Sequence, residues 1–445
     1  MRERVKLTAN ILFSGIGCQE RGFRDSDLFN IEVLNTSDIS KESVLSYAAI
    51  HCGMTNEMVD TYVDYPSREE MTQYLTDINL GYEPEKNKYF DWFKLIKRKK
   101  NDLEKYWLAC KLVHNLGDIS RIEELSYADF WTCSFPCTDI SVAGKMKGLN
   151  PESGTRSGLL WENIRLLSKA KDNNRLPKYI MFENVKNLVS KKFINDFRDL
   201  LEVLDELGFN SYWSVINGKD CGVPQSRERV FVISVRKDID KGRYTFPKPF
   251  DVGIRLKNIL EKEVEDKYYL SSETVSRLYN NGQGYHSKIS IKDDAQYSAT
   301  LLASMYKNAR GIDLIGDDEN TLKQIGYLNN YNGDANRVYS TTIARTLKSE
   351  AGGGGAKTGW YKTELGIRKL TPRECWKLMG LTFEDCDKAR EIGVADTHLY
   401  KQAGNGIITN CCALLAEHLY KAQYDNTYIC TDERYQENFI KPQVK

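Results

Sequence analysis

Three kinds of side chain in this sequence have the chemistry to act together. The first is a thiol. Cys137 closes Cys133-Ser134-Phe135-Pro136-Cys137, directly after the apolar run Ala128–Thr132. Proline fixes the backbone and keeps a helix from enclosing the sulfur. The thiol then stands at the carboxyl end of a strand, where α/β clefts collect ligands. A thiolate held there is a nucleophile. Taken alone, a buried structural cysteine fits the same residues. The second is a carboxylate. Glu183 ends another apolar run, Lys178–Phe182, within Glu183-Asn184-Val185. A buried strand end raises a carboxyl pKa; a helix cap or salt bridge is the plainer alternative. The third is a pair of cations, Arg227 and Arg229, in Gln225-Ser226-Arg227-Glu228-Arg229. Two apart on an extended chain, they point to one side. They offer positive charge to an anion or carbonyl oxygen, unless they form a surface ladder through Glu228.

An α/β framework has to hold these groups. Leu7–Phe13 reads as a strand running into Ser14-Gly15-Ile16-Gly17. That is a nucleotide-type turn, in which glycine lets the backbone bend and approach a ligand. The G-x-G-x-x-G spacing of dinucleotide binders is not there. A second strand, Ile31–Leu34, ends near Asp38, which can hold ribose hydroxyls or cap the helix from Lys41 to His51. Residues 52–116 interrupt the rhythm with Tyr, Lys and Glu, and carry the basic aromatic run Tyr89–Lys100. Apolar spacing at Leu95, Leu103, Trp107 and Leu108 predicts helices in an insertion at the sheet edge. It fits an amphipathic cap or an auxiliary nucleic-acid contact. The loop Gly117-Asp118-Ile119 precedes an expected helix around Ile122–Leu125. Helices follow at Leu159–Ala170 and Phe193–Leu207, and strands at Lys178–Phe182, Phe209–Ile216 and Val230–Val235. The glycine- and lysine-rich stretch 144–158 reads as a mobile loop.

From Arg243 to Gly366 long helical patterns stop, and Gly, Asn, Tyr, Ser and Thr rise. A weak echo joins Tyr297–Leu301 to Tyr339–Ile343, and Gly352–Gly355 is a glycine run. Arg310, Arg337, Arg345, Lys348 and Lys357 among small polar residues suit groove contacts to DNA, and a loop-rich structural domain has the same composition. Helices return at Arg368–Glu374, where Thr371 caps, Pro372 takes the first position and Glu374 completes a capping box. Gln402–Ile407 then reads as a turn that starts a final helix through Ala422.

Bulk properties narrow the class. The 445 residues have room for two or three domains. Lys+Arg 63 against Asp+Glu 62 leaves a net charge of +1, so a nucleic-acid partner would be held by local patches. Met1–Lys6 has no apolar run behind its basic start, and no stretch is apolar enough to span a bilayer. The 11 cysteines, odd in number and without a C-x-x-C pair, read as reduced thiols of a cytoplasmic protein; Cys411-Cys412 reads as packing.

The order of the pieces is specific where each alone is weak. Phe13-x-Gly15-x-Gly17, Pro136-Cys137-x-x-x-Ser141, Glu183-Asn184-Val185, Gln225-x-Arg227-x-Arg229, Arg368-Lys369-Leu370-Thr371-Pro372-Arg373-Glu374-Cys375 and Gln402-x-Gly404-Asn405 follow one another. In this the chain resembles the S-adenosylmethionine-dependent DNA (cytosine-5)-methyltransferases along nearly its whole length. The resemblance implies a Rossmann-like α/β domain with a mixed, mostly parallel sheet, plus a smaller irregular target-recognition domain. It divides the chain into a catalytic domain 1–242 with the 52–116 insertion, a recognition domain 243–366, and C-terminal helices 367–445 that complete the first.

By the same resemblance, Cys137 is the nucleophile for cytosine C6, Glu183 the acid at N3 and the 4-amino group, Arg229 the cation at O2 and Arg227 its neighbour. Phe13, Gly15, Gly17, Asp38, Ile39, Asp118, Ile119, Pro136, Leu159, Asn405 and Ile407 match the S-adenosylmethionine pocket. Asp38 takes the ribose, Ile39 packs on adenine and Asp118 meets its amino group. Ser141 and Gln225 match residues that hold the site and the DNA backbone. No metal is implied. The implied partner is double-stranded DNA, with or without a separate cognate endonuclease, and the chain is expected to be a cytoplasmic, nucleoid-associated monomer that meets no membrane. Ile11, Cys18 and Gly406 depart from the pattern, which has an acidic residue, a glycine and often a serine there. An RNA cytosine methyltransferase shares the chemistry. A non-catalytic DNA-binding regulator would have no need of Cys137, Glu183 and both arginines, and a nicotinamide oxidoreductase leaves Cys137 unexplained.

Overall fold

The structure is a computed structural model that describes residues 3–83, 87–98, 101–136, 156–270, 324–327, 337–347, 360–363 and 366–429. Cys137 and Ser141, the stretch 144–155, the echo segment 297–301, Arg310, Lys348, the glycine run and Lys357 lie outside them.

The apolar runs become a six-stranded sheet in the order β2-β1-β3-β4-β6-β5. Its strands are β1 (Val5–Leu12), β2 (Phe29–Ser37), β3 (Phe130–Cys133), β4 (Tyr179–Val185), β5 (Phe209–Asn217) and β6 (Glu228–Arg236). Pairing is parallel from β2 to β4, and β6 alone runs antiparallel to both neighbours. Strand order reverses between β1 and β3, the point at which ligands bind in doubly wound sheets.

Both faces of the sheet are covered, which is why its strands read as continuous apolar runs. Phe130, Tyr179, Met181, Phe231 and Ile233 enter one core, and their chain neighbours Trp131, Ile180, Phe182, Val230 and Val232 the other. The first face carries α1 (Cys18–Asp25), α2 (Lys41–His51) and the insertion helices α3 (Asn56–Thr61), α4 (Arg68–Asp77), α5 (Phe93–Ile96) and α6 (Asp102–Leu112). The second face carries α7 (Leu160–Asp172) and α8 (Ile194–Leu207). The insertion sits at the sheet edge as expected: Thr36 of β2 pairs with Asn115 as the chain re-enters.

The C-terminal segment folds back on the first face as α9 (Pro372–Lys377), α10 (Phe383–Glu391), α11 (Asp396–Asn405) and α12 (Thr409–Tyr424). The Thr371 cap and Glu374 capping box form as read, with Pro372 in the first turn. A second sheet, in the order β10-β9-β8-β7, is built from β7 (Gln324–Tyr327), β8 (Arg337–Tyr339), β9 (Trp360–Thr363) and β10 (Gly366–Lys369).

Four local expectations are corrected. Residues 122–125 are not helical; only a 3-10 turn, Ile119–Arg121, forms after Asp118. The cap of α2 is Ser40, whose hydroxyl accepts from Ser43 N, while Asp38 accepts from Ser40 N instead. Gly404-Asn405-Gly406 ends α11 rather than starting a helix. Arg368 and Lys369, read as the start of a helix, lie in a strand instead, since Gly366–Lys369 pairs with Trp360–Thr363.

One buried ion pair ties that sheet to the C-terminal helices. Arg368 reaches Glu374 through two hydrogen bonds of 2.7 and 2.8 Å, and both side chains are buried. Glu374 also accepts from Thr371 N and Glu261 N, each at 2.8 Å. Removing one partner strands a charge in the interior. Glu374→Ala is therefore expected to lower stability by about 3–5 kcal/mol, read from the denaturant midpoint. A loss under about 1 kcal/mol, as for an exposed pair, contradicts this.

Candidate active site

The carboxyl ends of β1, β3 and β4 and the start of β6 meet at one edge. Leu12 pairs with Cys133, Thr132 with Met181 and Val185 with Arg229. So the turn after β1, the Pro136 turn after β3, Glu183 on β4 and Arg229 on β6 belong to neighbouring strand ends. The side chain that joins two of them is Asn184, whose Nδ2 donates to Phe135 O at 3.1 Å. It is buried and holds the turn that leads to Cys137. Asn184 was part of the recognised Glu-Asn-Val, but nothing in its spacing announced a bond to a residue 49 positions away.

Glu183 is a buried carboxylate with a close cation. Arg229 Nε lies 3.1 Å from its Oε1. Burial raises the Glu183 pKa above the ordinary glutamate value, and Arg229 and then Arg227 oppose that rise. Arg229 also donates to Glu228 O at 2.8 Å, and Glu228 itself pairs with Lys186 at the surface.

Arg227 takes a different place. Its guanidinium donates to Leu347 O, Gly404 O and Gly406 O at 2.8–3.0 Å, and the residue is buried. It therefore fastens the end of α11 to the edge of the sheet while its charge still reaches Glu183. Gln225 was expected to hold the site and the DNA backbone. It is fully enclosed, with Nε2 donating to Leu378 O and Oε1 accepting from Leu347 N. Both ends of its amide are used within the protein, so it braces the chain around the site.

The residues expected to hold the cofactor begin at the turns after β1 and β2. Phe13 adopts a left-handed backbone at φ 54, an uncommon conformation for a large side chain that recurs at functional turns. Gly15 N donates to Asp38 Oδ2 at 2.8 Å, and Ser40 N to Asp38 Oδ1 at 2.7 Å. Burial raises the Asp38 pKa against those two bonds. A Cβ built on Gly15 meets nothing within 4 Å, so space lies open beside the carboxylate. Ile39 is half-buried and accepts from Gly81 N at 2.7 Å. Asp118 accepts from Asn79 Nδ2 at 2.7 Å and from Ser120 N at 3.0 Å. Gly17, Ile119 and Ile407 are buried, Pro136 and Leu159 half-buried, and Asn405 exposed at the end of α11. Two departures from the pattern are neighbours: a Cβ on Gly406 would lie 3.4 Å from Cys18 Sγ. Burial pushes the Cys18 thiol up to about 12, which makes it a packing group.

A C-5 cytosine-specific DNA methylase family model matches residues 67–421. The chain belongs to this family. It is 33% identical over 415 residues to the type II methyltransferase M2.ScrFI of Lactococcus lactis subsp. cremoris, covering 92% of this chain and 98% of that one. It is 30% identical over 351 residues to the type II methyltransferase M.Bsp6I of Bacillus sp. (strain RFL6), covering 78% and 95%. It is 34% identical over 276 residues to the orphan methyltransferase M.SssI of Spiroplasma monobiae, covering 60% and 68%. The solved methyltransferase EhMeth of Entamoeba histolytica shares the fold at a TM-score of 0.52 and 14% identity, covering 94% of this chain and 98% of that one. Membership makes the protein a cytosine-5 DNA methyltransferase and implies S-adenosylmethionine as methyl donor. The residues fit that molecule: acceptor carboxylates at Asp38 and Asp118, and open space at Gly15. Among the described residues no cluster of His, Cys, Asp or Glu is arranged to hold a metal, and no helix is long and apolar enough to cross a membrane.

The ion pair makes a prediction about protons. Arg229→Met removes the nearest cation and leaves burial less opposed, so the Glu183 carboxyl should hold its proton to higher pH than in the parent. An infrared carboxyl titration, taken as the difference from Glu183→Gln, measures it. A midpoint that stays put or falls contradicts the assignment.

Proposed function

We propose that this protein methylates C5 of a cytosine extruded from a specific sequence in double-stranded DNA, with Cys137 as nucleophile and Glu183 as the acid at N3. The observation that supports this reading best is the buried Glu183–Arg229 pair beside the Pro136 turn. C5 is too poor a nucleophile to take a methyl group directly. Addition of the Cys137 thiolate to C6 moves the C5=C6 π electrons onto C5 and makes it an enamine carbon. Negative charge develops toward N3 and O2 as the bond forms. Glu183, its pKa raised by burial, retains a proton to higher pH than an ordinary glutamate and delivers it or a hydrogen bond at N3. Arg229 offers its cation at O2.

S-adenosylmethionine supplies the methyl group when bound. Asp38 would hold its ribose, Ile39 and Asp118 its adenine, and the Phe13–Gly17 turn the methionine side. After transfer the C5 proton leaves to a base and the thiolate departs from C6, restoring the double bond. The base must leave the stack to reach the thiol. We assign the second sheet and its connections, from about residue 243 to Lys369, to target recognition. Residues 1–242 and the C-terminal helices form the catalytic body in this reading. A separate cognate endonuclease is a natural partner, as for a type II system.

Two outcomes test the roles. Duplex DNA carrying 5-fluorocytosine at every cytosine, mixed with the parent protein and S-adenosylmethionine, should form a covalent adduct, because fluorine cannot leave C5 as a proton does. Cys137→Ser should form none; a parent protein that traps tRNA but never DNA would redirect the reading to RNA. Glu183→Gln should slow methyl transfer about 10²–10⁴-fold while S-adenosylhomocysteine binds as in the parent. A loss under threefold would remove Glu183 from the chemistry.

A further inference from the structure

The helices of residues 52–116 fit a plain amphipathic cap. Their bonds point elsewhere. All three residues assigned above to ribose and adenine are tied to this insertion. Asn115, fully buried, brackets Asp38 from both sides: its Oδ1 accepts from Asp38 N and its Nδ2 donates to Asp38 O, each at 3.0 Å. Gly81 N donates to Ile39 O at 2.7 Å. Asn79 Nδ2 donates to Asp118 Oδ2 at 2.7 Å.

The turn that carries Asn79 is built for that contact. It follows α4, with Asn79 in the left-handed conformation at φ 58 that asparagine and glycine tolerate best. Leu80 N bonds to Leu75 O at 3.1 Å and Trp92 Nε1 to Leu80 O at 2.9 Å. The Asp118 backbone is drawn against it: Asp118 N donates to Ile78 O at 2.9 Å, and a Cβ on Gly117 would lie 1.8 Å from that oxygen. Only glycine allows so close an approach. The carboxylate itself is then locked. Oδ1 takes Ser120 N and Ser120 Oγ, at 3.0 and 2.8 Å, and Oδ2 takes Asn79.

We propose that the insertion is a cofactor wall, in which Asn79 is a positioning residue that fixes the Asp118 carboxylate for the adenine amino group, with Asn115 doing the same for the Asp38 backbone. The inference rests on the reading of Asp118 as an adenine contact. A carboxylate held in one orientation loses no rotational freedom when the ligand arrives, so the insertion sets affinity and adenine selectivity and leaves the methyl-transfer step alone.

The test is calorimetric binding of S-adenosylhomocysteine to the full chain. Asn79→Gly keeps the left-handed backbone and removes the donor. It should weaken binding about tenfold, the scale of one hydrogen bond to a charged group, with kcat at saturating S-adenosylmethionine and KM for DNA within about twofold of the parent. S-inosylhomocysteine, which has oxygen in place of the adenine amino group, should bind parent and variant alike, so discrimination falls. In an Asp118→Ala background Asn79→Gly should cost nothing further. Asn79→Asp, which sets a carboxylate against Asp118, should lose more than Asn79→Gly and carries the test if the glycine variant melts early. Unchanged binding in the Asn79 variants, with Asp118→Ala weakened, overturns the proposal and leaves the cofactor reading intact. Unchanged binding in Asp118→Ala overturns both, whereas the Cys137 and Glu183 assignments stand or fall separately by trapping.

Discussion

A carboxylate at the end of a buried strand is costly unless a cation stands beside it, and the architecture is arranged to put one there. Glu183 lies in β4, between two cores, where burial favours its neutral form. A continued parallel sheet would set another strand's carboxyl end next to it. Instead β6 runs antiparallel, and its first residues, including Arg229, face the end of β4. The single reversed strand delivers a guanidinium to the one place where the mainly parallel sheet gathers its loops. The pair is balanced: strong enough to keep Glu183 in place, and poised by burial so that its proton is retained above the ordinary range.

The rest of the molecule closes around that edge. Asn184 holds the Pro136 turn against β4, and Arg227 anchors three carbonyls, two from the end of α11 and one from Leu347. Gln225 bridges Leu347 to Leu378. The Arg227 and Gln225 bonds stitch the residues before β6 to Leu347, between β8 and β9, and to the C-terminal helices. The chain leaves the six-stranded sheet after β6 and packs its C-terminal helices back on the first face, and the buried Arg368–Glu374 pair lies where it returns. On the other side of the switch point, the insertion fastens Asp38, Ile39 and Asp118. Substrate and cofactor halves are thus each held by segments remote in sequence.

What could be read from the residues follows from range. Local rules were legible: the apolar runs that became strands between two cores, the capping box at Thr371–Glu374, and the turn after β1. The helix expected at 122–125 failed because its apolar residues, Ile122 and Leu125, serve an extended segment in the second core. Motif order singled out Glu183 and Arg229, whose side chains pair at 3.1 Å. It carried no sign that Gln225 bonds partners 122 and 153 positions away. Asn79 and Asn115 were missed altogether. Asparagine beside glycine in Asn79-Leu80-Gly81 signals a turn, but only the fold brings that turn to Asp118.

The most direct measurement is bisulfite sequencing of chromosomal DNA from cells that express the protein, beside cells that express Cys137→Ser. The account predicts protected cytosines confined to a defined sequence context in the first and absent from the second. Methylation that persists in Cys137→Ser, or cells with no protected cytosine in DNA while tRNA gains 5-methylcytosine, would contradict it.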